Sequence, residues 1–293
     1  MEDITQGQGT PGRYAGLPNP YGEAKSAQIV ILPVPFDKTS TYQKGSNKGP
    51  AAIIEASRNM ELYDIETNSQ VYLRGIYTDR PIRASTSEKM LRLAYQRAKE
   101  WIAKNKFVVT LGGEHSIAYA PIKAHAEHYG AMTVLQLDAH TDLQPAYENN
   151  PWSHASVMAR VKEIPQVSEI VAVGIRSMSH AELPFVENNK MFFAHQLEGK
   201  WMDDVLKKLE HPVYISIDLD VFDSSLMPST GTPEPGGLFW NQALTLLKRV
   251  ILEKQVVGFD VVELCPHPSN VAPDYLAAKL IYKLLSYQFE GKI

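Results

Sequence analysis

The chain lacks the features that would place it in several large functional classes. Cys265 is the only cysteine among 293 residues, so no intrachain disulfide can form and a reducing compartment is expected. Lysine and arginine number 29 against 33 aspartates and glutamates, a net charge of −4. That balance, without a basic run anywhere, argues against nucleic acid as a partner. No apolar stretch approaches the ~18 residues of a membrane helix, and the N-terminus lacks the charged-then-apolar pattern of a secretory signal. No membrane association is expected, and the expected location is cytoplasmic. There is also no Gly-x-Ser-x-Gly elbow, no phosphate-cradling glycine loop and no cysteine nucleophile. With 44% hydrophobic and 21% charged residues, the composition is otherwise that of an ordinary folded domain.

What the chain does contain is an alternation of apolar, β-branched runs with amphipathic segments. Strands are expected at 29–34, 107–111, 132–138, 169–174, 191–194, 213–218 and 256–263. Helices are expected near 50–57, 86–105, 116–129, 153–163, 179–189, 200–209, 240–253 and 273–288. In 86–105, Met90, Leu93, Ala94 and Trp101 recur at helical spacing, with Ser87 as the expected cap. This order predicts an α/β fold, a single-domain three-layer α/β/α sandwich with a mostly parallel sheet. The domain is read as 28–293. Residues 1–27, rich in Gly, Pro, Asn and Gln, are read as an N-terminal arm over the surface or a neighbouring subunit, gripping through Tyr14, Leu17 and Tyr21.

Three clusters follow these strands: Gly112-Gly-Glu-His-Ser116, Asp138-Ala-His-Thr-Asp142 and Ser216-Ile-Asp-Leu-Asp220. Side chains two apart on a strand share a face, so Asp138, His140 and Asp142 would point one way, as would Asp218 and Asp220. With His115 they make four carboxylate residues and two imidazoles at the sheet's carboxyl edge, where such sheets bind ligands. So many carboxylates cannot converge without cations among them. Six ligands suit two divalent ions about 3.5–4 Å apart. Oxygen-rich ligation favours two Mn²⁺, although Ni²⁺, Co²⁺ or Fe²⁺ fit the same donors.

The three clusters, with Ser153-His-Ala-Ser156 and Gly231-Thr-Pro-Glu-Pro-Gly-Gly237, resemble the signatures of the ureohydrolases, the arginase and agmatinase family. The similarity is in order from Gly49-Pro-Ala-Ala-Ile to Asn270-Val-Ala-Pro-Asp-Tyr-Leu-Ala-Ala-Lys279. It implies hydrolysis of a guanidinium group to urea and an amine, by a hydroxide bridging two manganese ions. It implies metal ligands at His115, Asp138, His140, Asp142, Asp218 and Asp220, with Asp138 and Asp218 as the best bridging candidates. It gives His154 the role of loop acid/base, a group expected to titrate near neutrality. Glu263 would hold the guanidinium by paired hydrogen bonds. A homo-trimer or homo-hexamer is also implied.

Within that family, the Leu143–Ser153 segment and Gly174-Ile-Arg-Ser177 look like agmatinases. They lack the Asn, Ser/Thr and Asp contacts with which arginases hold an amino-acid head group. The expected substrate is a small cationic guanidino compound, agmatine, hydrolysed to putrescine and urea. The alternatives are guanidinobutyrase, formimidoylglutamase, guanidine hydrolase or arginase activity, or a non-catalytic metal-binding homologue. A substrate carboxylate would need a cation in the mouth, for which Arg176 is the candidate. His125 and His128 are read on a polar helix face, and His180 or His267 could line the mouth.

Overall fold

The computed structural model describes residues 9–210 and 212–290. Its strands are β1 (Ile29–Val34), β2 (Ile76–Thr78), β3 (Phe107–Gly112), β4 (Met132–Leu137), β5 (Val167–Ile175), β6 (Met191–Phe193), β7 (Val213–Asp218) and β8 (Val256–Val262). The helices are α1 (Gly49–Ser57), α2 (Ser87–Ile102), α3 (Tyr119–Tyr129), α4 (Val157–Val161), α5 (Trp201–Lys208), α6 (Trp240–Glu253) and α7 (Ala272–Glu290). The strands form one sheet in the order β2-β1-β3-β8-β7-β4-β5-β6, and every neighbouring pair is parallel.

Strands β1, β4, β7 and β8 are buried along their whole length, which is why they read as apolar runs rather than alternating ones. Ile29, Ile31, Val109, Leu111, Ile215 and Ile217 pack on one face beneath α1, α5, α6 and α7. Val30, Leu32, Val108, Val134 and Tyr214 pack on the other beneath α2, α3 and α4. This is the expected three-layer fold.

Local departures have local causes. Helix α2 is capped by Thr86, whose hydroxyl accepts the Lys89 N–H at 3.3 Å, rather than by Ser87. The expected 179–189 helix is a 3₁₀ turn over His180–Phe185 with Pro184 inside it, a residue that removes a helical donor. The expected helices at 116–129 and 153–163 each open as 3₁₀ turns, at His115–Ala118 and His154–Ser156. Edge strand β2 has only three residues, too few for a periodic signal.

Residues 1–8 of the expected arm lie outside the described residues. From residue 9 onward the segment packs on its own chain. Tyr14 and Leu17 are fully buried, the Tyr14 hydroxyl donates to the Ala278 carbonyl at 2.7 Å, and the Ala15 N–H donates to Ser57 Oγ at 2.7 Å.

Candidate metal centre and substrate cleft

Strands β3, β8, β7 and β4 lie side by side at the centre of the sheet, and their carboxyl ends carry the three clusters and Glu263. After β3 the chain turns through Gly113, where any Cβ would come within 2.0 Å of the Phe36 carbonyl oxygen; only glycine allows that approach. The turn delivers His115. Its Nδ1 lies 3.1 Å from Asp138, 3.0 Å from Asp142 and 3.4 Å from Asp218. His140 Nδ1 lies 2.9 Å from Asp220 and 3.7 Å from Asp138. Ligand atoms of His115, Asp138 and Asp218 fall within 4.8 Å of one another, as do those of Asp138, His140 and Asp220. Asp138 belongs to both groups.

Asp142 and Glu263 sit at φ of 53° and 66°, left-handed conformations that side-chain-bearing residues rarely adopt. Each is held from several sides. Glu182 accepts the Leu143 N–H at 3.0 Å and the Thr141 hydroxyl, clamping the chain on both sides of Asp142. Glu263 donates its N–H to the Gly113 carbonyl at 2.8 Å, and its Oε1 accepts the His115 N–H at 2.7 Å.

The electrostatics are those of crowded negative charge. Burial and Asp138 push Asp142 up; burial and Asp220 push Asp218 well above its ordinary range; burial and Glu114 do the same to Glu263. Burial alone would lower the imidazoles, yet Asp138 and Asp142 raise His115 well above its usual range, and Asp220 and Asp138 raise His140 to about 12. The buried Nδ1 of His115 has no hydrogen-bond partner, although three carboxylate oxygens surround it. An imidazole lone pair and carboxylates aimed at one point fit a divalent cation.

Over this floor opens a cleft of about 190 Å³, lined also by Tyr42, Gln43, Gln144, Tyr147 and Thr232. None of the described residues lining it is lysine or arginine. His154 lies in its wall. Its N–H donates to Thr39 Oγ1 at 3.0 Å, its Nδ1 is 3.2 Å from the same hydroxyl, and Tyr147 packs edge-on at 5.6 Å. Burial, then His140 and His115, push His154 down to about 4. Burial thus favours its neutral imidazole form.

The sequence matches the arginase family over residues 27–286. The chain belongs to that family. It is 39% identical over 269 residues to N(1)-aminopropylagmatine ureohydrolase of Thermus thermophilus, covering 90% of each chain. It is 31% identical to the agmatinase of Pyrococcus horikoshii over 91% of this chain and 94% of that one. The agmatine ureohydrolase of Thermoplasma volcanium has the same fold, with a TM-score of 0.82 at 28% identity over 91% of both chains. This arginase-family chain is an amidinohydrolase, and its family is dependent on a binuclear metal centre.

Several residues take other parts than the sequence led us to expect. Arg176 is no substrate clamp. Its guanidinium donates to the carbonyls of Gly174, Asp220, Phe222, Glu234 and Pro235 at 2.6–3.2 Å, tying the Asp218–Asp220 strand end to the 231–237 loop. His125 is buried rather than on a polar face; its Nδ1 pairs with the Pro121 carbonyl at 2.7 Å. His128 is exposed, and neither His180 nor His267 lines the cleft.

Sequence reasoning missed Glu114 and Thr39. Glu114 is fully buried and accepts the Lys38 and Thr39 N–H groups at 2.6 Å and the Thr39 hydroxyl at 2.7 Å, fixing the loop that touches His154. Its signal was present, since a glutamate inside an otherwise buried turn needs internal partners. That the partner would be Thr39 was not readable.

Proposed function

We propose that this enzyme hydrolyses the guanidinium of a small cationic alkylguanidine, agmatine, giving urea and putrescine. The observation that carries the reading is a cleft with carboxylates on its floor and no lysine or arginine among the described residues of its lining. A substrate tail bearing a carboxylate would be desolvated there without a partner, at a cost of several kcal/mol. An ammonium tail meets tyrosine faces and amide oxygens instead.

His115, Asp138, His140, Asp142, Asp218 and Asp220 would hold two divalent ions, with Mn²⁺ the best match to their hard oxygen donors. Asp138, shared by both ligand groups, is suited to bridging. When bound, the ions supply the Lewis acidity that makes water nucleophilic at neutral pH. The protein supplies the rest. Glu263, with one oxygen occupied by the His115 N–H, has its other oxygen left to accept guanidinium N–H groups and orient the carbon. As water adds to that carbon and the C–N bond to the alkyl nitrogen breaks, a proton must pass from water to the leaving nitrogen. Neutral His154 can take that proton and return it to the amine.

A second reading is N(1)-aminopropylagmatine as substrate, giving the corresponding triamine. It is favoured by the name of the Thermus relative and by the open mouth. The test is urea release with Mn²⁺ from agmatine, N(1)-aminopropylagmatine, arginine, guanidinobutyrate, formiminoglutamate and guanidine. We expect kcat/KM for agmatine at least about 10²-fold above that for arginine, equivalent to about 2.7 kcal/mol. Equal values would defeat the head-group argument, and a higher value for the aminopropyl compound would select the second reading.

A further inference from the structure

Beneath the carboxylates the sheet carries a transverse polar row. Gln136 on β4 pairs in register with Ser216 on β7, Ser216 with Asp260 on β8, and Asp260 with Thr110 on β3. All four are at most 1% exposed. The next row down on the same face is Val134, Tyr214, Gly258 and Val108, apolar apart from the Tyr214 hydroxyl. Four buried polar side chains across four central strands are costly, and valine or isoleucine would serve packing better. The row sits two residues before Asp138 on β4 and before Asp218 on β7, so it shares their face of the sheet.

We infer that this row, through Ser216 and Asp260 on one arm and Gln136 on the other, is the layer that orients His115 and Asp138 toward the ions. The Ser216 hydroxyl has one hydrogen, which it donates to Asp260 Oδ1 at 2.9 Å. It can therefore only accept from His115 Nε2, which lies 2.9 Å away. That holds a hydrogen on Nε2, so Nδ1, which faces the carboxylates, is the nitrogen whose lone pair an ion would take. On the other arm, Gln136 Nε2 donates to Asp138 Oδ2 at 2.9 Å and to the His140 carbonyl at 3.1 Å, which holds the rotamer of the shared carboxylate. Asp260 is thus a positioning residue that touches no ion. His140 has no such backing: its Nε2 lies 3.8 Å from Glu234, a partly exposed carboxylate. Outer partners of metal-bound histidines set ring orientation and basicity.

The inference rests on reading the cluster as a metal site, and the experiment separates the two. Full-length protein is stripped with chelator and titrated with Mn²⁺, following free ion by its electron paramagnetic resonance signal, for wild type, Ser216→Ala and Asp260→Asn. Melting of the stripped proteins is recorded in parallel. We expect two ions on wild type, one of them bound about 10–100-fold more weakly in each variant, with the stripped proteins melting close together. Variants that bind both ions as tightly as wild type overturn the inference, even if all three stripped proteins differ in stability. Wild type that binds neither Mn²⁺ nor, in a parallel titration, Ni²⁺ or Co²⁺ would instead overturn the metal reading. Ser216→Ala, which removes only a hydroxyl, decides the matter alone if Asp260→Asn does not fold.

Discussion

The floor and the mouth of the cleft are built on different principles. On the floor, Asp138, Asp218 and Asp220 are 0–3% exposed, grow directly from central strand ends, and each accepts at least one backbone N–H at 2.6–3.0 Å. At the mouth, Tyr42 is 75% exposed, and Tyr147 stands in a tight turn whose Glu148 and Asn149 take φ of 49° and 61°. Crowded carboxylates repel unless every one is pinned, so the floor needs the sheet beneath it. A flexible alkylamine needs only a wall and a few acceptors, so loops suffice. Under the proposed function, chemistry is thereby separated from substrate choice.

The sharpest way to break the comparison is on the floor. Asp218→Ala should lower kcat/KM by more than about 10³-fold, because ion charge stabilisation is worth several kcal/mol; elemental analysis should show lost metal. Full activity with one ion per chain would show that the floor is not a two-ion site. In the wall, His154→Ala should lower kcat by about 10²–10⁴-fold with metal content intact. Unchanged kcat would make His154 a bystander.

A third test concerns stability beneath the floor. Burial pushes His125 down to about 4, against about 6.5 in an unfolded chain. Between those values the unfolded state binds a proton that the folded state does not. The contribution is intact above about pH 6.5 and lost as pH falls toward 4, on the order of 3 kcal/mol. Urea unfolding at both ends of that window should show a smaller loss for His125→Asn than for wild type; equal losses would mean that His125 is not the titrating group. The smallest effect belongs to the mouth. Tyr147→Ala removes the edge-on contact with His154, worth about 0.5–1.5 kcal/mol, so kcat/KM for agmatine should fall about two- to tenfold. A larger loss would give the mouth a share in the chemistry.

The strand runs, the layer order and the clustering of six aspartates and histidines were legible because each signal is local. A period of two puts Asp138, His140 and Asp142 together within five residues, and burial on both faces makes parallel strands uniformly apolar. Gln136 and Ser216 were not singled out, although both are polar residues inside such runs, because what Ser216 meets, Asp260 and His115, comes from other strands.

The sequence by itself determined the fold class, the edge of the sheet that carries the site and the residue types available there, because hydrophobic periodicity and short-range spacing act within one segment. Only the tertiary structure decided that Arg176 is consumed by backbone carbonyls, that His125 is buried, that Thr39 and Glu114 hold His154, and which nitrogen of His115 faces the carboxylates. Each of these depends on atoms far apart in the chain, and a hydrogen bond chooses its partner by proximity after folding rather than by position in the sequence.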